Sequence, residues 1–149
     1  MKRIDEWISE ATAKLELEVA RLSPKRTDEI FRRLRDQFAD SDSRSPLWEA
    51  IDDCVSRKRA NGWQDVGEYV GSTPCLLITE EDGPLMYRIS SGGDLTQVLA
   101  ACCGFEFYVT NDGCDYLLCH NHHDYLIGVG AAADWVASLA DDWPVFEKS

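Results

Sequence analysis

Residues 105–130 read FEFYVTNDGCDYLLCHNHHDYLIGVG and hold three strand signals separated by two turn signals. Phe105, Phe107 and Val109 alternate with Glu106, Tyr108 and Thr110, the period of two expected of a half-buried strand. Asn111-Asp112-Gly113 is turn chemistry, because these residues tolerate the backbone angles a reversal demands. Tyr116–His120 and Tyr125–Val129 are two further apolar runs, joined through Asn121, His122, His123 and Asp124. Short connections between adjacent strands require antiparallel pairing, since parallel strands need a long crossover.

Upstream, Cys75–Thr79 and Leu85–Ile89 read as a second hairpin, joined by Glu80-Glu81-Asp82-Gly83-Pro84. Val66–Val70 is a short candidate strand. Asp94, following Gly92-Gly93, would cap a helix bearing Leu95, Val98, Leu99 and Cys102 and ended by Gly104. A last helix from Ala131 carries Trp135, Val136 and Leu139, before Trp143-Pro144.

The first third reads as helical. Ile4, Trp7, Ile8, Ala11, Leu15, Val19 and Leu22 form one stripe at helical spacing. Ser23-Pro24 opens a second helix with Ile30, Phe31, Leu34 and Phe38 inward and Arg32, Arg33 and Arg35 outward. After a polar loop from Asp40 to Ser45, Ser45-Pro46 opens a third, with Leu47, Trp48, Ile51, Cys54 and Val55 inward and Asn61-Gly62 as its stop. The expected order is αααβββαβββα. This is an α+β class with a mostly antiparallel sheet, one domain over residues 1–149, helical to 61 and strand-rich and acidic from 62.

The 149-residue chain is large enough for a core without disulfide or metal support. No apolar run spans a bilayer and the charged start is unlike an export signal, so a cytoplasmic protein is expected. Six cysteines without CxxC or regular spacing then read as reduced thiols, mostly small buried apolar groups. Net charge is −12 and unevenly placed. Residues 1–60 carry 13 basic and 13 acidic side chains, whereas 61–149 carry Arg88 and Lys148 against 14 carboxylates. Such a surface repels nucleic acid and anionic membrane and attracts a basic protein partner.

Several clusters could carry chemistry. Cys119, His120, His122 and His123 are of metal-ligand type, which admits a metal-dependent enzyme. Strand alternation would nevertheless place His120 and His122 on one face and Cys119 and His123 on the other. The same segment also reads as a polar hairpin tip, with Asn121 and Asp124 bonding the turn backbone, or as a partner contact. A Cys119–His120 or Cys119–His122 nucleophile pair meets the same alternation problem. Ser90-Ser91-Gly92-Gly93-Asp94 reads as a turn and cap, Gly128-Val129-Gly130 as a strand-to-helix turn, and Arg57-Lys58-Arg59 as the last turn of the third helix. The exposed-tip residues Glu80, Glu81, Asp82, Asp112, Asp115, His122 and Asp124 are the candidate partner-binding set. No cofactor is expected.

The stretches Phe107–Asn111 and Tyr116–Gly130, with Leu-Leu-Cys, Asn-His-His-Asp and a glycine-terminated strand, resemble a family of small uncharacterised bacterial proteins over about 25 residues. The resemblance implies a bacterial, cytoplasmic setting. By analogy of class, small acidic α+β proteins of this style resemble immunity proteins of toxin systems, which implies an inhibitor whose acidic half covers a basic cleft.

Overall fold

The computed structural model describes residues 3–39, 51, 53–81, 83–102 and 105–141. In chain order these residues form α1 (Ile4–Leu15), β1 (Val19–Arg21), α2 (Pro24–Phe38), β2 (Val55–Lys58), α3 (Gly62–Val70), β3 (Cys75–Glu81), β4 (Gly83–Ile89), α4 (Gly92–Ala101), β5 (Phe107–Thr110), β6 (Tyr116–His120), β7 (Tyr125–Gly130) and α5 (Ala133–Ala137). The strands make one sheet in the order β1-β4-β3-β5-β6-β7-β2, and every neighbouring pair is antiparallel. The α+β class and the antiparallel sheet therefore hold, while the element order differs from the one expected.

Both faces of the sheet are covered. On one, Ile30, Leu34 and Phe38 of α2 pack over Leu76, Ile78, Met86, Tyr108, Leu117, Cys119 and Ile127. On the other, α1, α3, α4 and α5 bring Ile8, Val66, Val70, Leu95, Val98 and Val136 against Leu77, Ile89, Val109, Leu118 and Leu126. This double cover corrects the half-buried reading of β5: Phe107, Tyr108, Val109 and Thr110 are all buried. Tyr108 enters the layer under α2 and uses its hydroxyl to reach Glu80.

Three other expectations are overturned. The first helix ends at Leu15, where Glu16 turns left-handed (φ 56°) and the Leu17 amide donates back to the Thr12 carbonyl. Leu15-Glu16-Leu17-Glu18-Val19 fits a helical stripe but also alternates, and pairing with β4 selects the strand for Val19–Arg21. Val55–Lys58, assigned to a third helix, is the edge strand β2 paired with β7, and Cys54 is exposed rather than inward. The rest of that helix reading, 46–50 and 52, lies outside the described residues, as do the polar loop 40–45, Gly104 and Trp143-Pro144. The first 61 residues thus supply both edges of the sheet as well as helices.

Third, Asn61-Gly62 begins a helix instead of ending one, and Val66 and Val70 lie one turn apart on its buried side instead of in a strand. Gly62 meets a packing demand there: a Cβ would lie 2.7 Å from Cδ2 of His120. At α4 the cap is Ser91, whose hydroxyl accepts the Asp94 amide at 3.1 Å, so Asp94 belongs to the first turn. Ser23 caps α2 in the same way and Pro24 occupies its first turn, as expected. The final helix runs Ala133–Ala137, with Val136 buried against the sheet.

Candidate functional site

The register divides the described candidate partner-binding residues between the two ends of the sheet. Glu80 and Glu81 pair with Pro84 and Gly83 at the β3–β4 tip. β5 runs against β3 and pairs Phe107 with His120, so Glu106 and the β6–β7 turn 121–124 fall at this same end. Asp112 and Asp115 lie in the β5–β6 turn at the opposite end, beyond Thr110 and before Tyr116. The seven candidate partner-binding residues are thus not one surface: Glu80, Glu81, His122 and Asp124 share an end, and Asp112 and Asp115 occupy the other. Asp82 lies outside the described residues.

The β6–β7 turn is built around Asn121, which is 5% exposed. Its side-chain oxygen accepts the amides of His123 at 3.0 Å and Tyr125 at 3.1 Å. Backbone bonds from Asn121 to Tyr125 and from Asp124 to Asn121 close the turn, with Asp124 left-handed at φ 63°. Asp124 also accepts the Arg59 amide through its carbonyl at 2.8 Å, tying the turn to the end of β2. The structural role expected of Asn121 is carried by its side chain, and that of Asp124 by its backbone.

The histidines do three different things. His120, 8% exposed, places Nε2 at 2.9 Å from the Arg59 carbonyl. A carbonyl can only accept, so Nε2 carries the hydrogen and Nδ1 of the neutral ring is an acceptor. His122 is exposed, and both its amide and its Nδ1 engage the Glu106 carboxylate. The His123 ring lies against that of His122, centroids 3.9 Å apart and planes tilted by 45°. Both lie in the turn, where strand alternation no longer applies, so the expectation that His123 shares the face of Cys119 fails. Cys119 itself lies under α2, on the face opposite His120, and is fully buried.

Burial pushes the Cys119 thiol well above its ordinary value, and the Glu106 and Glu80 carboxylates push the same way. A thiol held protonated makes a poor nucleophile and a poor metal ligand. Among the described residues no three His, Cys, Asp or Glu side chains are grouped to hold a metal ion. Arg57-Lys58-Arg59, read as a helix end, lies in β2 and just beyond it. Arg57 does serve a helix C-terminus, but that of α5, donating to the carbonyls of Ala137 and Leu139 at 3.0 Å. Arg59 grips Asp65 through two bonds of 2.8 and 3.0 Å.

Beside the turn lies a cavity of about 350 Å³. Trp63 of α3, Leu99 and Cys102 at the end of α4, and Phe105 and Phe107 give it apolar walls. His120, Asn121, His122 and Asp124 supply its polar groups. Trp63, Phe105 and Glu106 were absent from the sequence-derived set. They stand 14–60 residues from the histidines, and only the alternation of Glu106 with Phe105 and Phe107 hints at an outward carboxylate.

The other end is differently made. Asp112 pairs with Arg88, and Asn111 exchanges two bonds with Asp115. Arg33 and Gln37 of α2 donate to the carbonyls of Gly113 and Cys114 at 3.0 Å. No helix among the described residues is long and apolar enough to cross a membrane. No protein-family model, curated protein or solved structure matches the chain.

Proposed function

We propose that the protein is a binding module of the immunity type, which inhibits a basic partner protein by covering it with the sheet end that carries Glu80, Glu81, Glu106, His122 and Asp124. One observation carries this reading: antiparallel register gathers these groups at one end, beside a concave apolar surface, whereas Arg88, one of the two cations after residue 60, lies near the other end beside Asp112. An excess of carboxylates around a low-dielectric concavity, with Arg59 paired to Asp65 and Lys58 held on the turn, accelerates encounter with a basic protein and repels nucleic acid and anionic lipid. The proposed setting is the bacterial cytoplasm, with which the free thiols Cys54, Cys75, Cys102, Cys114 and Cys119 agree.

The test takes the product of a neighbouring gene, where that product is a basic toxin-type protein, as the immobilised partner in surface plasmon resonance; a gene neighbourhood without one would count against the proposal. Neutralising Glu80, Glu106 and Asp124 together (to Gln, Gln and Asn) should lower the association rate by about tenfold at low salt, and added salt should narrow the gap. Neutralising Asp112 and Asp115 should leave the rate within about twofold. Equal effects from the two sets, or a salt-independent rate, would remove the proposal.

A further inference from the structure

We infer that the cavity between Trp63, Phe105 and Phe107 is a slot for one arginine side chain presented by the partner, an inference that rests on the reading of the partner as a basic protein. About 350 Å³ is at the small end of ligand pockets, which run from roughly 300 to 1,000 Å³. A single long side chain suits it better than a dinucleotide-sized molecule. Its walls are aromatic: Trp63 is half-buried on α3, and Phe105 and Phe107 meet edge to face with centroids 6.4 Å apart. Flat, weakly hydrated guanidinium groups stack on such rings more readily than a compact ammonium does.

The polar lining favours a donor-rich cation. Asp124, an acidic residue, is among those lining the cavity, while Glu106, which alternates with the wall residues Phe105 and Phe107 rather than joining them, holds the lining residue His122. His120 has its Nε2–H committed to the Arg59 carbonyl, which leaves an acceptor nitrogen on a ring that lines the cavity. Of the nearby cations, the guanidinium of Arg59 is paired with Asp65 through two bonds, and the ammonium of Lys58 is drawn to the His123 carbonyl and the Tyr125 ring. Arginine has five donors and no acceptor, the match for that set. The slot would also set the orientation of a complex otherwise steered by diffuse charge, the role that buried arginine and tryptophan anchors play in interfaces.

Titration of the full chain by NMR tests the slot without needing the partner. The probe is N-acetyl-arginine amide, with N-acetyl-citrulline amide as its neutral near-isostere and free L-arginine as a third arm. The capped arginine should bind with a dissociation constant of order 1 mM, shifting the Trp63 indole and His120 signals. Citrulline should bind at least about tenfold more weakly, and Asp124→Asn should weaken arginine about fivefold. Asn tolerates the left-handed backbone at 124, so that variant keeps the turn, and an unchanged melting temperature verifies it. Trp63→Phe should keep binding within about threefold, and Trp63→Ala should abolish it. Equal binding of citrulline, tighter binding of free L-arginine than of the capped form, or shifts confined to Asp112 and Asp115 would overturn the slot. Arginine bound at the cavity by a protein that ignores the toxin-type partner would uphold the slot and remove the inhibitor reading instead.

Discussion

The two ends of the sheet are both acidic, yet they are put together in opposite ways. At the Asp112–Asp115 end, α2 reaches down with Arg33 and Gln37 to satisfy the turn carbonyls, Arg88 meets Asp112, and Asn111 and Asp115 bond each other. Carboxylates there are matched by groups from elsewhere in the chain. At the Glu106–Asp124 end the nearby cations are already committed: Arg59 to Asp65, and Lys58 to the His123 carbonyl and the Tyr125 ring. What remains is a cavity with aromatic walls and acceptor groups. On the proposed reading the partner is basic, and the pairing of strands decides which end it would meet.

The largest effects should come from glycines that hold each end in place. Gly130 has φ +69°, and a Cβ would sit 2.7 Å from the Asp115 carbonyl and 2.9 Å from the Phe38 ring. Gly130→Ala should cost about 2–4 kcal/mol in denaturant unfolding, because backbone strain and a clash with rigid backbone coincide. At the other end, Gly62→Ala meets only the edge of the His120 ring, which can yield. Its cost should be nearer 1–2 kcal/mol, with displacement of His120 seen in its NMR signals. A reversed order would mean that the cavity end, not the clamped end, is the more tightly built.

Alkaline pH offers a second contrast. Burial pushes the Cys75 thiol from its ordinary 9.0 up to about 12. The folded state thus releases this proton later than the unfolded chain does. Stability from Cys75 is complete below pH 9 and drains as pH rises toward 12, by about 1.4 kcal/mol per pH unit at most. Cys75→Ala should lower stability at neutral pH and flatten its fall between pH 9 and 11 in urea titrations. A slope unaltered by Cys75→Ala would assign the alkaline loss to other groups.

Within the cavity end, Asn121→Ala removes an oxygen that accepts two turn amides. A loss of about 1–2 kcal/mol is expected, with the β6–β7 amides exchanging faster. His122→Ala, at an exposed turn position, should stay within about 0.5 kcal/mol. If the histidine proves the costlier of the two, the Glu106 contact rather than Asn121 organises the turn.

These contrasts also explain what could be read from the chain beforehand. Hairpins Cys75–Ile89 and Tyr116–Gly130, helix α2 with its Ser23 cap, and the Asn121 turn all announce themselves locally, through alternation, capping and turn residues. β1, β2 and α3 do not. Their segments carry patterns compatible with either state, and for the two strands partners 70 and 73 residues away decide: Val19 pairs with Ile89, and Val55 with Gly128. The site was legible to the same degree. The histidine turn stands out, but grouping carboxylates by turn type joins Asp112 and Asp115 to Glu80 when the register separates them, and Trp63 reaches the cavity from a helix whose start, Asn61-Gly62, reads as the stop of a preceding one.

The smallest expected effect tests the comparison most directly. Arg88 and Asp112 are each about half exposed, with side chains at 47% and 50%. Water and salt screen such a pair, and holding two mobile side chains together costs entropy. A double-mutant cycle with Arg88→Met and Asp112→Asn should give a coupling of about 0.2–1 kcal/mol that shrinks in 1 M salt. Small as it is for stability, the pair matters for charge: Arg88→Met leaves Asp112 uncompensated and makes this end resemble the other. If a basic partner is chosen by charge alone, that variant should gain binding at the Asp112 end, visible as a second association phase. If the cavity chooses, the association rate rises slightly through the added net charge while the bound state stays the same, and NMR shifts induced by the partner remain at Trp63 and His120 with none at Asp112.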